Sequence, residues 1–306
     1  MSAQDGRLAA IEAIVCREVG RGAEPLMAAT RGELAAAAKA IAGAPAPRIG
    51  IITGFFVVPP RLDPAMAETD GPVGAAHLAA GFAAAGWPVR VATDAPCANA
   101  VAAALRGAGA APAVGLDIVA GEGDVAASIA AVAAGWRAAG ITHAIAIERC
   151  GRAADGAPYN MRGISVAGVT APLDDLFTGG PWTRIGIGDG GNEVGMGKLP
   201  AALIAASVPN GAKIACVTPA DHLVVCGVSN WGAYGLLTAM AALRPDLAPA
   251  LRSTLTGAAD RRILDTLVRD GPAGDPVAGA RAASVDGYPH EVHAEVIARL
   301  DAALSS

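Results

Sequence analysis

Short apolar runs alternate with alanine-rich helical stretches through the middle of the chain. The run IGIIT at 49–53 is rich in β-branched residues and ends at a glycine, as expected for a buried strand. The same pattern predicts strands at 88–93, 113–119, 141–147 and 184–188, with helices at 73–86, 97–107 and 123–139. Strands that alternate with helices form parallel sheets that are covered on both faces. The sequence therefore predicts an α/β fold with a Rossmann-like, mostly parallel sheet and helices on both faces.

Both ends of the chain are predicted to add helices to this sheet. Apolar residues at helical spacing predict N-terminal helices within 5–43 and a mainly helical C-terminal segment at 246–304. Between them, KIACVT (213–218) and HLVVCGV (222–228) are predicted as two further strands, and 230–243 as a helix.

No flexible linker interrupts the sequence, so we expect a single α/β domain over residues 1–306 with its core at 48–243.

Within the C-terminal segment, His290 and His293 form an H-x-x-H pattern, which differs from the H-E-x-x-H of zinc proteases. The pattern favours a solvated helix start over a metal site.

Composition and charge narrow the classes of function. The net charge is -5 and the charges form no basic block, so we expect no nucleic-acid partner. No unbroken apolar run reaches the roughly 18 residues of a membrane span, and we expect no membrane association. The five cysteines show no C-x-x-C spacing, which favours a reducing, cytoplasmic location. Association of the apolar terminal helices into a homo-oligomer stays open.

Polar residues follow the predicted strands, and in open α/β sheets ligands bind beyond the carboxyl ends of the strands. We therefore expect these residues to meet at one edge of the sheet. The residues are Thr53, Gly54, Asp70, Gly71, Glu148, Asp189, Asn192, Glu193, Ser229 and Asn230.

The stretch IGIGDGGNEVGMGK (185–198) has three interpretations. Gly186, Gly188 and Gly191 satisfy the dinucleotide pattern G-x-G-x-x-G, but Asp189 places a carboxylate where the pyrophosphate would bind. A P-loop is disfavoured because Leu199 stands where Ser or Thr would hold magnesium.

The third interpretation combines a nest of backbone amides with charged side chains. The amides near Gly190 and Gly191 would bind a carboxylate. Asp189 and Glu193 would bind an ammonium group, hold a divalent metal or act as a base, and Lys198 would offset an anion. Such a loop suits a small zwitterion.

The long loop that follows the strand at 141–147 supplies cations. Arg149, Arg152 and Arg162 lie within it, together with Asn160. Arginine forms paired hydrogen bonds with carboxylates, so a loop of this length and composition favours binding of an acidic ligand.

Together, the segments TGFF, ETDGP-GA, IERCGRAADG--YNMRG, IGIGDGGNEVGMGK and GVSNWGAYGL resemble the D-glutamate cyclase family, in particular its C-terminal domain and the free-standing bacterial proteins of that type. The resemblance runs from about residue 48 to residue 243. It implies an α/β fold and the cyclisation of D-glutamate to 5-oxo-D-proline with loss of water. The animal enzyme has a further, N-terminal domain that is absent from these 306 residues.

The chemistry of that reaction assigns expected roles. Asp189 or Glu193 would act as the base, with Glu148 in reserve, and Lys198, Arg152 or Arg162 would bind the carboxylates. A magnesium or manganese ion on Asp70, Asp189 and Glu193 is open as a cofactor. The residues expected to orient the substrate are Thr53, Gly54, Asp70, Gly71, Asn160, Gly190, Gly191, Asn192, Ser229 and Asn230.

Two other functions stay open. One is a non-catalytic binding protein for an acidic amino acid or a related small carboxylate, because glycine amides and arginines would serve binding equally well. The other is a nucleotide-dependent kinase or ligase that acts on a carboxylate.

Overall fold

A computed structural model describes residues 2–305. In chain order, the strands of that range are β1 (Ile49–Thr53), β2 (Phe56–Val57), β3 (Met66–Glu68), β4 (Val89–Asp94), β5 (Gly115–Val119), β6 (His143–Ile147), β7 (Thr183–Gly188), β8 (His222–Val225), β9 (Ala273–Gly274), β10 (Ser284–Val285) and β11 (Tyr288–Pro289). The helices are α1 (Ala3–Val15), α2 (Glu24–Ala29), α3 (Glu33–Ala42), α4 (Pro72–Ala84), α5 (Ala98–Gly107), α6 (Val125–Ala138), α7 (Asp174–Thr178), α8 (Ala201–Ser207), α9 (Gly211–Ile214), α10 (Ser229–Leu243), α11 (Ala248–Leu251), α12 (Gly257–Asp270) and α13 (His290–Ser305).

The central sheet has six parallel strands in the order β5-β4-β1-β6-β7-β8. The chain enters at β1, builds outward to β5, and then returns to fill the other half. The strands β1 and β6 therefore lie side by side at the point where the strand order reverses, and ligands of such sheets bind there. The predicted Rossmann-like α/β fold is confirmed.

The centre of the sheet is buried on both faces, which explains the apolar runs at β1 and β6. Every residue of β1 and of β6 is buried. One face packs against α1, α3, α4 and α10 in a cluster that also includes residues of α12 and α13. On the other face, the ring of Trp136 lies where a side chain at Gly50 would stand, 2.3 Å from its ideal Cβ, so only glycine fits there.

The predicted strand at 213–218 is wrong. Its first residues form α9, and the rest crosses beneath the glycine-rich turn without joining the sheet. The amides of Cys216 and Val217 donate to the carbonyls of Gly191 and Arg152, and the Thr218 carbonyl accepts from the amides of the turn. The backbone of this segment therefore makes its hydrogen bonds with loops instead of with a strand. The spacing of apolar residues does not reveal such partners.

Small strands were also missed where the sequence predicts loop or helix. The strands β2, β3 and β9 form one small sheet, and β10 and β11 form a hairpin within the C-terminal segment. Strands of two or three residues give too few positions for a periodic pattern.

None of the helices within residues 2–305 combines the length and apolar content needed to cross a membrane.

The predicted helix start at His290 is confirmed, because α13 begins there, but the predicted solvation of His290 and His293 is wrong. The Nε2 of His290 lies 3.3 Å from Asp260, and His293, 1% exposed, accepts a hydrogen bond from Trp231. Asp260 also contacts His77 at 3.1 Å and accepts from the Tyr234 hydroxyl. This buried network joins α4, α10, α12 and α13, and so fixes the C-terminal helices on the sheet.

The pair of His290 and Asp260 predicts a pH-dependent contribution to stability. The Asp260 carboxylate beside it raises the pKa of His290. A raised pKa in the folded state means that the pair stabilises the fold fully below the unfolded-state pKa of about 6.5, and that this contribution is lost as pH rises through the folded-state value. We expect wild type to exceed His290→Gln in melting temperature most at about pH 5.5 and least at about pH 9. A difference that stays constant over that range would contradict the assignment.

Candidate active site

A cavity of about 330 Å³ lies beyond the carboxyl ends of β1, β6 and β7, next to the reversal in strand order. Phe55 follows β1, Glu148 follows β6 and Asp189 follows β7, so the strand ends bring together residues that are distant in sequence. The charged residues of its walls are Arg21, Arg61, Glu68, Glu148, Arg162, Asp189 and Asp286.

Two helices begin at this edge and cap each other. The carboxylate of Asp70, just before α4, accepts from the amides of Ser229 and Asn230 at the start of α10, each at 2.9 Å. In return, the Asn230 side chain accepts from the amides of Gly71 and Gly74 at 3.0 and 2.7 Å. Each side chain satisfies amides that would otherwise lack a partner. The structure thus brings Asp70, Gly71, Ser229 and Asn230 together, as predicted.

Gly71 also allows the backbone before α4 to pack closely against the residues at the ends of β1 and β6. Its φ is +89°, and a Cβ there would lie 2.8 Å from the Cβ of Glu148 and 2.9 Å from the Thr53 hydroxyl. Thr53 itself is fully buried, and its hydroxyl has no hydrogen-bond partner within residues 2–305.

The glycine-rich turn is filled by its own glutamate. The Glu193 carboxylate, 2% exposed, accepts from the amides of Asp189, Gly190 and Gly191 at 2.9, 2.6 and 2.7 Å. The expected nest therefore exists, but these amides are not available to a substrate carboxylate or a phosphate. The amides of Gly190 and Gly191 thus do not offer the predicted ligand contacts, whereas Gly190 itself lines the cavity. A pattern of residues does not show whether a nest binds a ligand or its own chain.

Four carboxyl groups around the cavity have raised pKa values. Burial is the largest cause for Glu68, Asp70, Glu148 and Asp189, and repulsion from neighbouring carboxylates adds to it. Both effects favour the neutral form, so protons are retained toward higher pH than in water. Such carboxyls are suited to general acid and base catalysis.

Glu148 has the most distinctive setting of the four. Its backbone is left-handed, with φ +42°, which is uncommon for a residue other than glycine. The Ser229 hydroxyl donates to its Oε2 at 2.5 Å. The carboxyl is thus turned into the cavity and held there by the start of α10.

The ends of the chain supply two site residues that the sequence reasoning missed. Arg21, between α1 and α2, places Nη1 2.7 Å from Asp189 and Nη2 2.6 Å from Asp286. Asp286 lies in the turn between β10 and β11 with φ +56°, followed by Gly287 at +78°. The Asp-Gly pair between two short apolar stretches is a hairpin signal that could have indicated this turn.

The predicted cations separate into two groups. Arg162 and Asn160 line the cavity, as does Asn192, whose side chain donates to the Tyr159 carbonyl at 2.8 Å. Arg152 instead pairs with Asp174 and Asp175 and lines a smaller neighbouring pocket.

Lys198 lies outside the cavity. Its amine donates to Glu33 and to the carbonyl of Asp221, which immediately precedes β8. That position is the amino end of the strand, on the order of 13 Å from the carboxyl edge for four residues. The structure therefore does not bring Lys198 to the other predicted site residues.

The cavity is supported by one buried ion pair. Arg149, 1% exposed, contacts Asp94 at 2.6 Å and donates to the Gly54 carbonyl at 2.8 Å. These contacts join the ends of β1, β4 and β6. Arg149 is therefore engaged by the protein itself.

Comparison with known proteins identifies the family. The family model described as D-glutamate cyclase-like, C-terminal, matches residues 11–301. The chain belongs to the D-glutamate cyclase-like family. It is 38% identical over 184 residues to a human protein named D-glutamate cyclase, mitochondrial. The match covers 52% of this chain, and the chain spans only 29% of the length of that relative.

In this member of the D-glutamate cyclase-like family, the acidic side chains form two groups of three whose oxygens lie within 4.8 Å of one another. One group is Asp70, Asp189 and Asp286, and the other is Glu148, Asp189 and Glu193. Carboxylate oxygens are the donors that Mg²⁺ and Mn²⁺ prefer. One carboxylate in each group already accepts from backbone amides, Asp70 in the first and Glu193 in the second. The first group also contains an oxygen without a donor within residues 2–305, the Oδ2 of Asp286, and it is therefore the better candidate for an ion. The structure groups Asp70 and Asp189 with Asp286, and places Glu193 in the other group.

Glu193 is expected to act on stability. Replacing it by Gln removes the charge that three amides share, and we expect Glu193→Gln to lower the free energy of unfolding by about 1–3 kcal/mol in urea titrations. The exposed Glu295→Gln serves as the matched control. If Glu193 were the base, kcat would fall by about 10²- to 10⁴-fold in folded protein, and that outcome would contradict its structural role.

Proposed function

We propose that the protein is a D-glutamate cyclase-like lyase that converts D-glutamate to 5-oxo-D-proline and water. The observation that carries the proposal is the division of charge in one cavity. Carboxyls, including the half-buried Glu148 and the buried Asp189, line the inner part of the cavity, and the exposed Arg162 lines its outer part. A small amino acid with an ammonium group and carboxylates is complementary to both parts.

The proposed orientation follows from charge. The ammonium group of the substrate faces Asp189 and Glu148, and Arg162 and Arg61 bind carboxylates at the mouth. Phe55 contributes an apolar wall for the two methylene groups. Held in this way, the flexible substrate is folded toward the geometry in which nitrogen approaches the γ-carboxyl carbon.

The chemistry requires a proton acceptor and a proton donor. The amine nitrogen forms a bond to the γ-carboxyl carbon, one C–O bond of that group breaks, and the oxygen leaves as water with two protons that originate on the ammonium group. We assign the transfer of these protons to Glu148, whose raised pKa allows it to take a proton and return it. Asp189 stabilises the ammonium group before it loses its proton.

A divalent cation is part of the proposal as an open cofactor. Asp70, Asp189 and Asp286 would hold Mg²⁺ or Mn²⁺. When bound, such an ion supplies positive charge against the carboxylate that must become an electrophile.

The alternatives have less support. The amides that a nucleotide phosphate would need already donate to Glu193, which argues against the nucleotide-dependent enzyme. A binding protein for an acidic amino acid would use the same walls, but it has no need of several carboxyls with raised pKa values.

For location, we propose the cytoplasm, because all five cysteines carry free thiols.

The reaction itself can be tested by proton NMR of the purified protein with D-glutamate, with and without Mg²⁺ or Mn²⁺. We expect growth of 5-oxoproline signals with D-glutamate and none with L-glutamate. Line broadening of glutamate without product would support the binding protein instead. The absence of both signals would remove glutamate as the ligand.

The role of Glu148 can be tested by Glu148→Gln. Because Gln keeps the shape but cannot carry the proton, we expect kcat to fall by about 10²- to 10⁴-fold, with a far smaller change in KM. Glu122→Gln, at an exposed glutamate outside the cavity, is the matched control and should retain wild-type turnover. Unchanged turnover in folded Glu148→Gln would rule out this acid–base role.

A further inference from the structure

We propose that Arg21 competes with a divalent cation for Asp189 and Asp286, and thereby sets the affinity of the site for Mg²⁺ or Mn²⁺. The inference rests on the carboxylate set assigned above to the metal. It identifies a residue of the N-terminal segment as the control on metal loading.

The geometry places both cations at the same acids. Arg21 contacts Asp189 and Asp286 at 2.7 and 2.6 Å, and these two belong to the group whose oxygens lie within 4.8 Å of one another. An ion bound to this group would lie 2.0–2.6 Å from its oxygen ligands. A guanidinium group bonded to two of those acids would then be only a few ångströms from it. Repulsion between the two cations opposes simultaneous occupancy, because Asp70 and Asp189 are buried and water screens charges there only weakly.

Two acids that line the cavity with Arg21 keep an oxygen without a hydrogen-bond donor. Glu68 is only 6% exposed and lines the same cavity, and its Oε1 has no hydrogen-bond partner within residues 2–305. The Oδ2 of Asp286 is likewise buried without a partner in that range. Buried carboxylate oxygens without donors favour a further cation or a proton. The acids can therefore still bind an ion, and the positive charge of Arg21 weakens that binding.

The segment that carries Arg21 is built to hold it in place. One oxygen of Glu18 accepts from the amides of Val19, Gly20 and Arg21 at 2.9, 2.6 and 2.6 Å. The Tyr288 hydroxyl, from the hairpin that carries Asp286, donates to the Val19 carbonyl at 3.2 Å. The arginine and one of its two acids are thus held together independently of any ligand. Arg21 is a fixed competitor, whose removal exposes the full charge of the acids.

The proposal is tested by Mn²⁺ binding to the full chain without substrate, measured by electron paramagnetic resonance of the free ion and by calorimetry. We expect Arg21→Gln to bind Mn²⁺ at least about tenfold more tightly than wild type, equivalent to about 1.4 kcal/mol. Arg162→Gln removes the same charge from the same cavity without freeing a carboxylate. We expect its affinity to stay within about threefold of wild type, because solvent screens an exposed charge.

Further variants keep the test decisive. Adding Asp70→Asn to Arg21→Gln should remove the gain, which would locate the ion at the three acids. Arg21→Lys, the more conservative change, should give an intermediate affinity and provides a second test if the Gln variant does not fold. Equal Mn²⁺ affinity in wild type and folded Arg21→Gln, or an equal gain in Arg162→Gln, overturns the proposal.

These results are independent of turnover. A protein that shows the expected Mn²⁺ pattern but forms no 5-oxoproline would refute the proposed reaction and retain the competition. A cyclase with equal Mn²⁺ affinity in wild type and variant would do the reverse.

Discussion

The site depends on the exchange of caps between the helices α4 and α10. Asp70 and Asn230 each accept hydrogen bonds from the first amides of the other helix, so neither helix start can move alone. The positive ends of both helix dipoles are thereby fixed at the carboxyl edge of the sheet. Through Ser229, the same arrangement holds Glu148 in the cavity. A stabilising interaction between two helices is thus also what positions the proposed acid–base residue.

The cavity brings several carboxyl groups close together with few cations to neutralise them. Among the described residues, Arg21 is the cation that contacts Asp189 and Asp286, and Glu68 keeps an oxygen without a donor. Burial of this kind lowers stability, because carboxylates lose water and repel one another. Proteins maintain such clusters where their chemistry requires perturbed protonation. The large apolar core offsets that cost.

Both ends of the chain take part in the site, and the family match at 11–301 includes both Arg21 and Asp286. The N-terminal segment reaches the cavity because it passes over Gly227, where a Cβ would lie 2.5 Å from the Arg17 carbonyl. The C-terminal hairpin reaches it because helices α12 and α13 are fixed by the buried Asp260 network. The terminal additions to the Rossmann-like sheet are therefore parts of the cavity wall.

The sequence by itself determined the strands of the sheet and the edge at which the candidate site lies. Periodicity and β-branched runs identified the six central strands, and the rule for parallel sheets placed Asp70, Glu148, Asp189 and Ser229 at one edge. These features are local, or follow from the direction of parallel strands. Tertiary structure alone decided which partners these residues meet. The amides of the glycine-rich turn bind Glu193, and Lys198 lies at the amino end of β8. Arg21 and Asp286 come from the two ends of the chain. Contacts between residues so distant in the chain leave no periodic trace, because they are set by how separate helices and loops pack against one sheet.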